Sequence, residues 1–153
     1  MKAQYESKAL SFEDVVRFLI IIDESHRWIN AKFEFILDLI IVILREARKY
    51  FVGVTLASQS IRDYAPEGSS SEAIEKLKII FELTQYKFIF KQDSSVLPLI
   101  DKLFGGVLSP WQREKIPYLE QGETILSIAG DRNIFFKVWL SKQYEEQLFA
   151  GGA

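Results

Sequence analysis

Phe18-Leu19-Ile20-Ile21-Ile22-Asp23-Glu24 is the stretch on which the fold turns: five apolar residues stopped by two acids. A continuous apolar run this short predicts a strand buried on both faces, as in a parallel sheet. Phe51-Val52-Gly53-Val54-Thr55-Leu56-Ala57 has the same character and ends in Ser58-Gln59-Ser60. About 28 residues separate the two runs. Parallel strands need a crossover of a dozen residues or more, so this length suits a helix between them. Phe33, Ile36, Leu37, Ile40, Ile41 and Leu44 supply the helical spacing. Phe35, Leu39, Val42 and Ile43 fill much of the other side, so the helix is expected to be buried on more than one side. Such a strand-helix-strand unit should be right-handed.

Further along, Ala65 to Ser71 (APEGSSS) is a loop, and Ser71 is placed to cap a helix over 72–83. Tyr86 to Lys91 is a third strand. Ser95 to Phe104 is a short helix with Pro98 in its first turn and Gly105-Gly106 at its end. Ser109-Pro110 opens another helix. Thr124 to Ala129 and Ile134 to Leu140 form a hairpin around residues 130–133. A weak helix from Tyr144 and a flexible tail over 150–153 close the chain. The order β-α-β-α-β-α-α-β-β predicts an α/β fold: one domain over 1–149, with a mostly parallel sheet and a C-terminal antiparallel hairpin.

Composition narrows the function. The chain has 153 residues, 48% of them hydrophobic, and a formal net charge of −2. Low charge with high apolar content excludes intrinsic disorder. The absence of cysteine excludes disulfides, thiolate zinc sites and a cysteine nucleophile. A single histidine, His26, excludes a multi-histidine metal site. Near-neutral charge argues against a strong general nucleic-acid footprint. No signal-peptide pattern opens the sequence, and the apolar run from Leu39 to Leu44 falls short of the ~18 residues of a membrane span. A soluble protein in a reducing compartment is expected. Trp111 and Trp139 are expected in the core.

In open parallel sheets, ligands bind beyond the carboxyl ends of the strands. Asp23 and Glu24 occupy that position. Asp23 suits Mg²⁺, which prefers oxygen ligands, and Glu24 suits the orientation and deprotonation of a water attacking phosphate. A plain strand end and turn explains the acids equally well. Gln59 ends the next strand and is expected at the same edge, where an amide can sense a γ-phosphate or hold the attacking water; taken alone, an ordinary loop glutamine is the simpler reading. Arg45-Glu46-Ala47-Arg48-Lys49 is read either as a solvated helix end or as the source of an arginine for a neighbouring subunit's nucleotide. It precedes the second strand, so it belongs to the opposite edge. His26 has no visible partner and is expected to pack or to contact a neighbour. A Mg²⁺-dependent phosphoesterase would need further acids at Asp23 and Glu24; Asp63 and Asp93 are the candidates.

Taken together, IIIDES (20–25), LREARKYFVGVTLASQSIRDY (44–64), FELTQYKFIFKQD (81–93) and LSPWQREKIPYLEQGETILSIAGDRNIFFKVWLS (108–141) resemble the C-terminal part of the conjugation and type IV secretion ATPases, the TraC-like members of the HerA/FtsK group. The resemblance covers roughly residues 16 to 149. It implies a partial RecA-like P-loop NTPase fold and a hexameric motor that uses ATP and Mg²⁺ to drive DNA or protein export. It also implies a place at the cytoplasmic face of the inner membrane, beside other secretion subunits. By that resemblance Asp23 and Glu24 match the Walker B acids, Asp23 as metal ligand, and Gln59 matches the sensor glutamine. Arg48 matches a candidate finger acting in trans. Ser25 and His26 stand where the family usually has a small residue and an aromatic. No Gly-x-x-x-x-Gly-Lys-Ser/Thr occurs in these 153 residues, so the chain reads as a fragment or remnant, inactive alone. In the family a phosphate-loop strand lies between the Gln59 and Phe88 strands. Its absence predicts a gap, new pairing or an exposed apolar edge, and hence homo-oligomerisation or poor solubility. A catalytically silent assembly domain of the same fold is the competing expectation.

Overall fold

The structure, a computed structural model, describes residues 16–129 and 131–138. Trp139, Leu140 and the helix expected from Tyr144 lie outside the described residues. The chain divides into two compact units, Met1–Leu83 and Thr84–Ala153.

In the first unit, β1 (Phe18–Ile22) pairs parallel with β2 (Val52–Leu56), in the register Phe18↔Val52 to Ile22↔Leu56. Helix α1 (Glu34–Ala47) makes the crossover and runs into a 3₁₀ turn over Arg48–Tyr50. A second 3₁₀ turn, Ile61–Asp63, leads to α2 (Ser71–Leu83), which packs on α1. Ser70, not Ser71, caps α2: its hydroxyl accepts from the Ala73 N–H at 3.0 Å. Leu37 and Ile41 of α1 join Ala73, Ile74, Leu77 and Ile80 of α2 in the core, together with Ile29, Ile61 and Tyr64.

Two apolar runs are more open than their sequences suggest. Leu19 and Ile21 are 65% and 66% exposed, and Phe35 of α1 is 76% exposed. Only Leu37 and Ile41 of α1 are buried. Among the described residues this ladder is two strands wide, with both outer edges unpaired. One crossover helix cannot cover both faces, so double burial fails here although the parallel pairing holds.

Lys76 ties the two helices. Its Nζ lies 3.0 Å from Asp38 Oδ2, 3.6 Å from Glu34 Oε2 and 3.1 Å from Glu72 Oε1. Hydrogen bonds to Asp38 and then to Glu72 push its pKa up to about 12.

In the second unit, β3 (Tyr86–Ile89), β4 (Glu123–Ile128) and β5 (Asn133–Lys137) form an antiparallel sheet in the order β3-β4-β5. The expected hairpin is therefore present, with Ser127 opposite Asn133. The expected mostly parallel sheet is absent among the described residues. Those residues are mixed α/β with one parallel ladder and two antiparallel ones, because β3 takes β4 as its partner rather than β2. Helix α3 (Leu97–Phe104) has Pro98 in its first turn and ends at Gly105 with φ 63°, a left-handed conformation that glycine adopts without Cβ strain. Helix α4 (Pro110–Lys115) starts in a capping box between Ser109 and Gln112. Ile100, Leu103, Ile116, Leu119 and Ile125 form this unit's core. Trp111 does not join it. It is 61% exposed, because it follows Pro110 at the start of a six-residue helix none of whose residues is buried.

Candidate functional site

The parallel register fixes the site. Because Ile22 is paired with Leu56, both chains leave the ladder at the same end, and Asp23 and Ala57 begin the two outgoing loops. The Ala57 N–H donates to Ile22 O at 3.0 Å, and the Ser25 N–H donates to Ala57 O at 2.8 Å, so the loops are laced together.

Glu24 is the pivot. Its backbone is left-handed at φ 48° and ψ 41°. That conformation costs a non-glycine residue on the order of 1 kcal/mol and turns the chain sharply after Asp23. Its carboxylate is held on both oxygens: Gln59 Nε2 donates to Oε1 at 2.8 Å, and His26 Nδ1 lies 3.3 Å from Oε2. Asp23 Oδ1 accepts the Glu24 N–H at 2.9 Å. Its side chain is exposed and its other oxygen has no partner among the described residues. One open carboxylate oxygen fits Mg²⁺, which commonly binds through one or two carboxylates with water and phosphate completing the shell.

Beneath these acids runs a buried polar bridge. Ser25 is fully buried; its hydroxyl donates to Ala57 O at 2.8 Å and accepts from the Tyr64 hydroxyl at 2.6 Å. Asn30 Nδ2 donates to Asp63 O at 2.6 Å and the Ala31 N–H donates to Tyr64 O at 2.8 Å, which fastens the two loops again. Tyr64 also meets Phe81 edge-on, with ring centroids 5.5 Å apart. Burial pushes the Tyr64 phenol pKa up, against the opposing effect of its hydrogen-bond contacts with Ser25 and Ser58.

Tyr64 and Lys76 set an alkaline limit. Each has a folded pKa above its unfolded value, 10.0 for the tyrosine and 10.5 for the lysine. Each therefore contributes stability that is whole below the unfolded pKa and is lost as pH rises through the folded one. From these two groups, urea midpoints should fall as pH rises from about 10 toward about 12. In a Lys76→Met chain the midpoint should be lower at neutral pH and its alkaline fall shallower. An unchanged alkaline slope in that variant would show that the Lys76 contacts do not hold the helices together.

Of the residues singled out in the sequence, Asp23, Glu24 and Gln59 come together at one strand end. Arg48 does not: it is exposed, in the turn that precedes β2, at the other end of that strand. Asp63 gathers with no second and third acid; among the described residues no group of three His, Asp or Glu is disposed to hold a metal. Ser25, His26, Ser58 and Tyr64 are the members that sequence reading missed. The bonded pairs Ser25–Tyr64 and His26–Ser58 lie 39 and 32 residues apart along the chain. Only the shared position after two paired strands links them.

No protein-family model matches the chain. The uncharacterized protein pXO2-09 of Bacillus anthracis is 36% identical over 138 residues, which are 89% of this chain and 21% of that protein. Among solved structures, VirB4 of Thermoanaerobacter pseudethanolicus matches with a TM-score of 0.70 at 20% identity, over 88% of this chain and 34% of the other. The chain thus spans a minor part of the length of each. The resemblance noted in the sequence is accordingly matched in fold: over 88% of its length the chain is built like part of VirB4.

Proposed function

We propose that this chain supplies the metal-binding and water-orienting side of an ATP site in a type IV secretion or conjugation ATPase. Asp23 would hold Mg²⁺ through its open oxygen. Bound there, Mg²⁺ would neutralise charge on the β- and γ-phosphates. Glu24 would orient the attacking water and take its proton. Gln59 would fix Glu24 and respond to the γ-phosphate. Arg48 would act on the nucleotide of a neighbouring copy, since it stands at the wrong end of β2 to reach its own. The observation that supports this most is the 2.8 Å hydrogen bond joining Gln59 to Glu24 beyond the carboxyl ends of two parallel strands. Two polar residues meeting 35 positions apart at that edge is more than a strand end needs. On this reading ATP turnover drives transport of DNA or protein through the secretion machinery at the cytoplasmic face of the inner membrane.

The phosphate-binding loop has to come from other sequence, because none is present in these 153 residues. The test follows from that. The chain is mixed with a polypeptide of the same system bearing the Gly-x-x-x-x-Gly-Lys-Ser/Thr loop, and Mg²⁺-dependent phosphate release is measured. Turnover above the sum of the two separate components is expected. A mixture that forms a stable complex yet shows no turnover would leave the silent assembly role, which the open apolar faces of β1 and α1 favour.

A further inference from the structure

His26 is the single histidine of the chain, and the proposed site gives it no part. Its ring is held at one nitrogen. Nδ1 lies 2.9 Å from Ser58 Oγ and 3.3 Å from Glu24 Oε2. The Ser58 hydroxyl has its one proton turned away from the ring, toward Ser60 O at 3.3 Å or the Tyr64 phenol, so toward the ring its oxygen is an acceptor. An ionised Glu24 carboxylate is an acceptor only. Two acceptors facing one ring nitrogen require a proton on it, because a lone pair there would point at oxygen lone pairs. Nε2 has no partner among the described residues. The ring plane is fixed by an edge-on contact with Tyr64 at 6.5 Å, itself held by the buried Ser25.

We infer that His26 is a positioning residue for Glu24: it carries its proton on Nδ1 and holds Oε2 in place, as Gln59 holds Oε1. The carboxylate is then gripped from both loops, and the left-handed turn at Glu24 is what brings His26, two residues on, back to its own site. This rests on the proposed role of Glu24 in hydrolysis, but its first test does not.

Nitrogen-15 spectra of the ring can be recorded on the full chain well above the ordinary imidazole pKa of about 6.5. With one histidine present, the assignment is unambiguous. The Nδ1–H form should dominate, and Glu24→Gln or Ser58→Ala should shift the ring toward the tautomer mixture of free histidine. In the reconstituted ATPase, His26→Asn places an amide N–H near the Nδ1 position and should keep kcat within a few-fold of the parent. His26→Gln reaches the Nε2 position instead and should lower kcat about tenfold, with KM unchanged, as expected for one charge-assisted hydrogen bond to a reacting group. An Nε2–H ring in the parent chain overturns the inference whether or not ATP is hydrolysed. Equal activity of the two variants overturns it as well. Absent turnover in every mixture, with the Nδ1–H ring intact, would instead count against the ATPase reading alone.

Discussion

Glu24→Gln is expected to cut ATP turnover in the reconstituted enzyme by about 10²- to 10⁴-fold, the range for removing a positioned general base. Nucleotide affinity should stay within a few-fold. The amide is nearly isosteric with the carboxylate and keeps an oxygen for the Gln59 N–H, so the 2.8 Å contact that orients the side chain can persist. What disappears is the ability to take a proton from water. The loss should therefore fall on kcat. Asp23→Asn should separate from it, because that change weakens metal affinity and should be relieved in part by raising Mg²⁺. Turnover within threefold of the parent would remove Glu24 from the chemistry and leave it as a strand-end turn residue. In that case the left-handed acid after the strand serves simply to reverse the chain.

The two kinds of information in this sequence behaved differently. Asp23, Glu24 and Gln59 were legible because each directly follows an apolar run, and parallel strands deliver their ends to one edge. Arg48 was legible as belonging to the other edge for the same reason. Ser25, His26, Ser58 and Tyr64 were not, since a serine after an acid and a tyrosine before Ala65-Pro66 look like ordinary loop residues until the loops are laid side by side. Burial was the least legible property. Leu19 and Ile21 are as apolar as any core pair, yet among the described residues their ladder stops at two strands and leaves them open. A run of side chains states what it would be stable against, and the extent of the sheet decides whether that partner is present. The polarity of β3 failed for a related reason. Its hydrophobic pattern specifies a strand, and only the choice of β4 over β2 as neighbour makes it antiparallel.

Leu77→Ala tests whether the core and the site are one object. Leu77 is fully buried in α2, one helical turn before Phe81 and one turn after Ala73. Truncation removes three carbons from a closed environment, and such changes cost about 2–5 kcal/mol, a large share of the roughly 5–15 kcal/mol that holds a domain folded. Leu39→Ala removes the same atoms from α1, where the side chain is 48% exposed, and should cost little. Urea denaturation of both variants gives the contrast directly. The effect should also reach the site. Phe81 braces the Tyr64 ring, Tyr64 donates to Ser25, and the Ser25 N–H closes the two loops on Ala57. Hydrogen exchange at the Ser25 amide should therefore quicken in Leu77→Ala and stay unchanged in Leu39→Ala, even where both chains are folded. Equal losses of stability in the two variants would mean that α2 does not form the core of this unit. A destabilised Leu77→Ala chain with normal Ser25 exchange would mean that the polar bridge stands without the helix behind it.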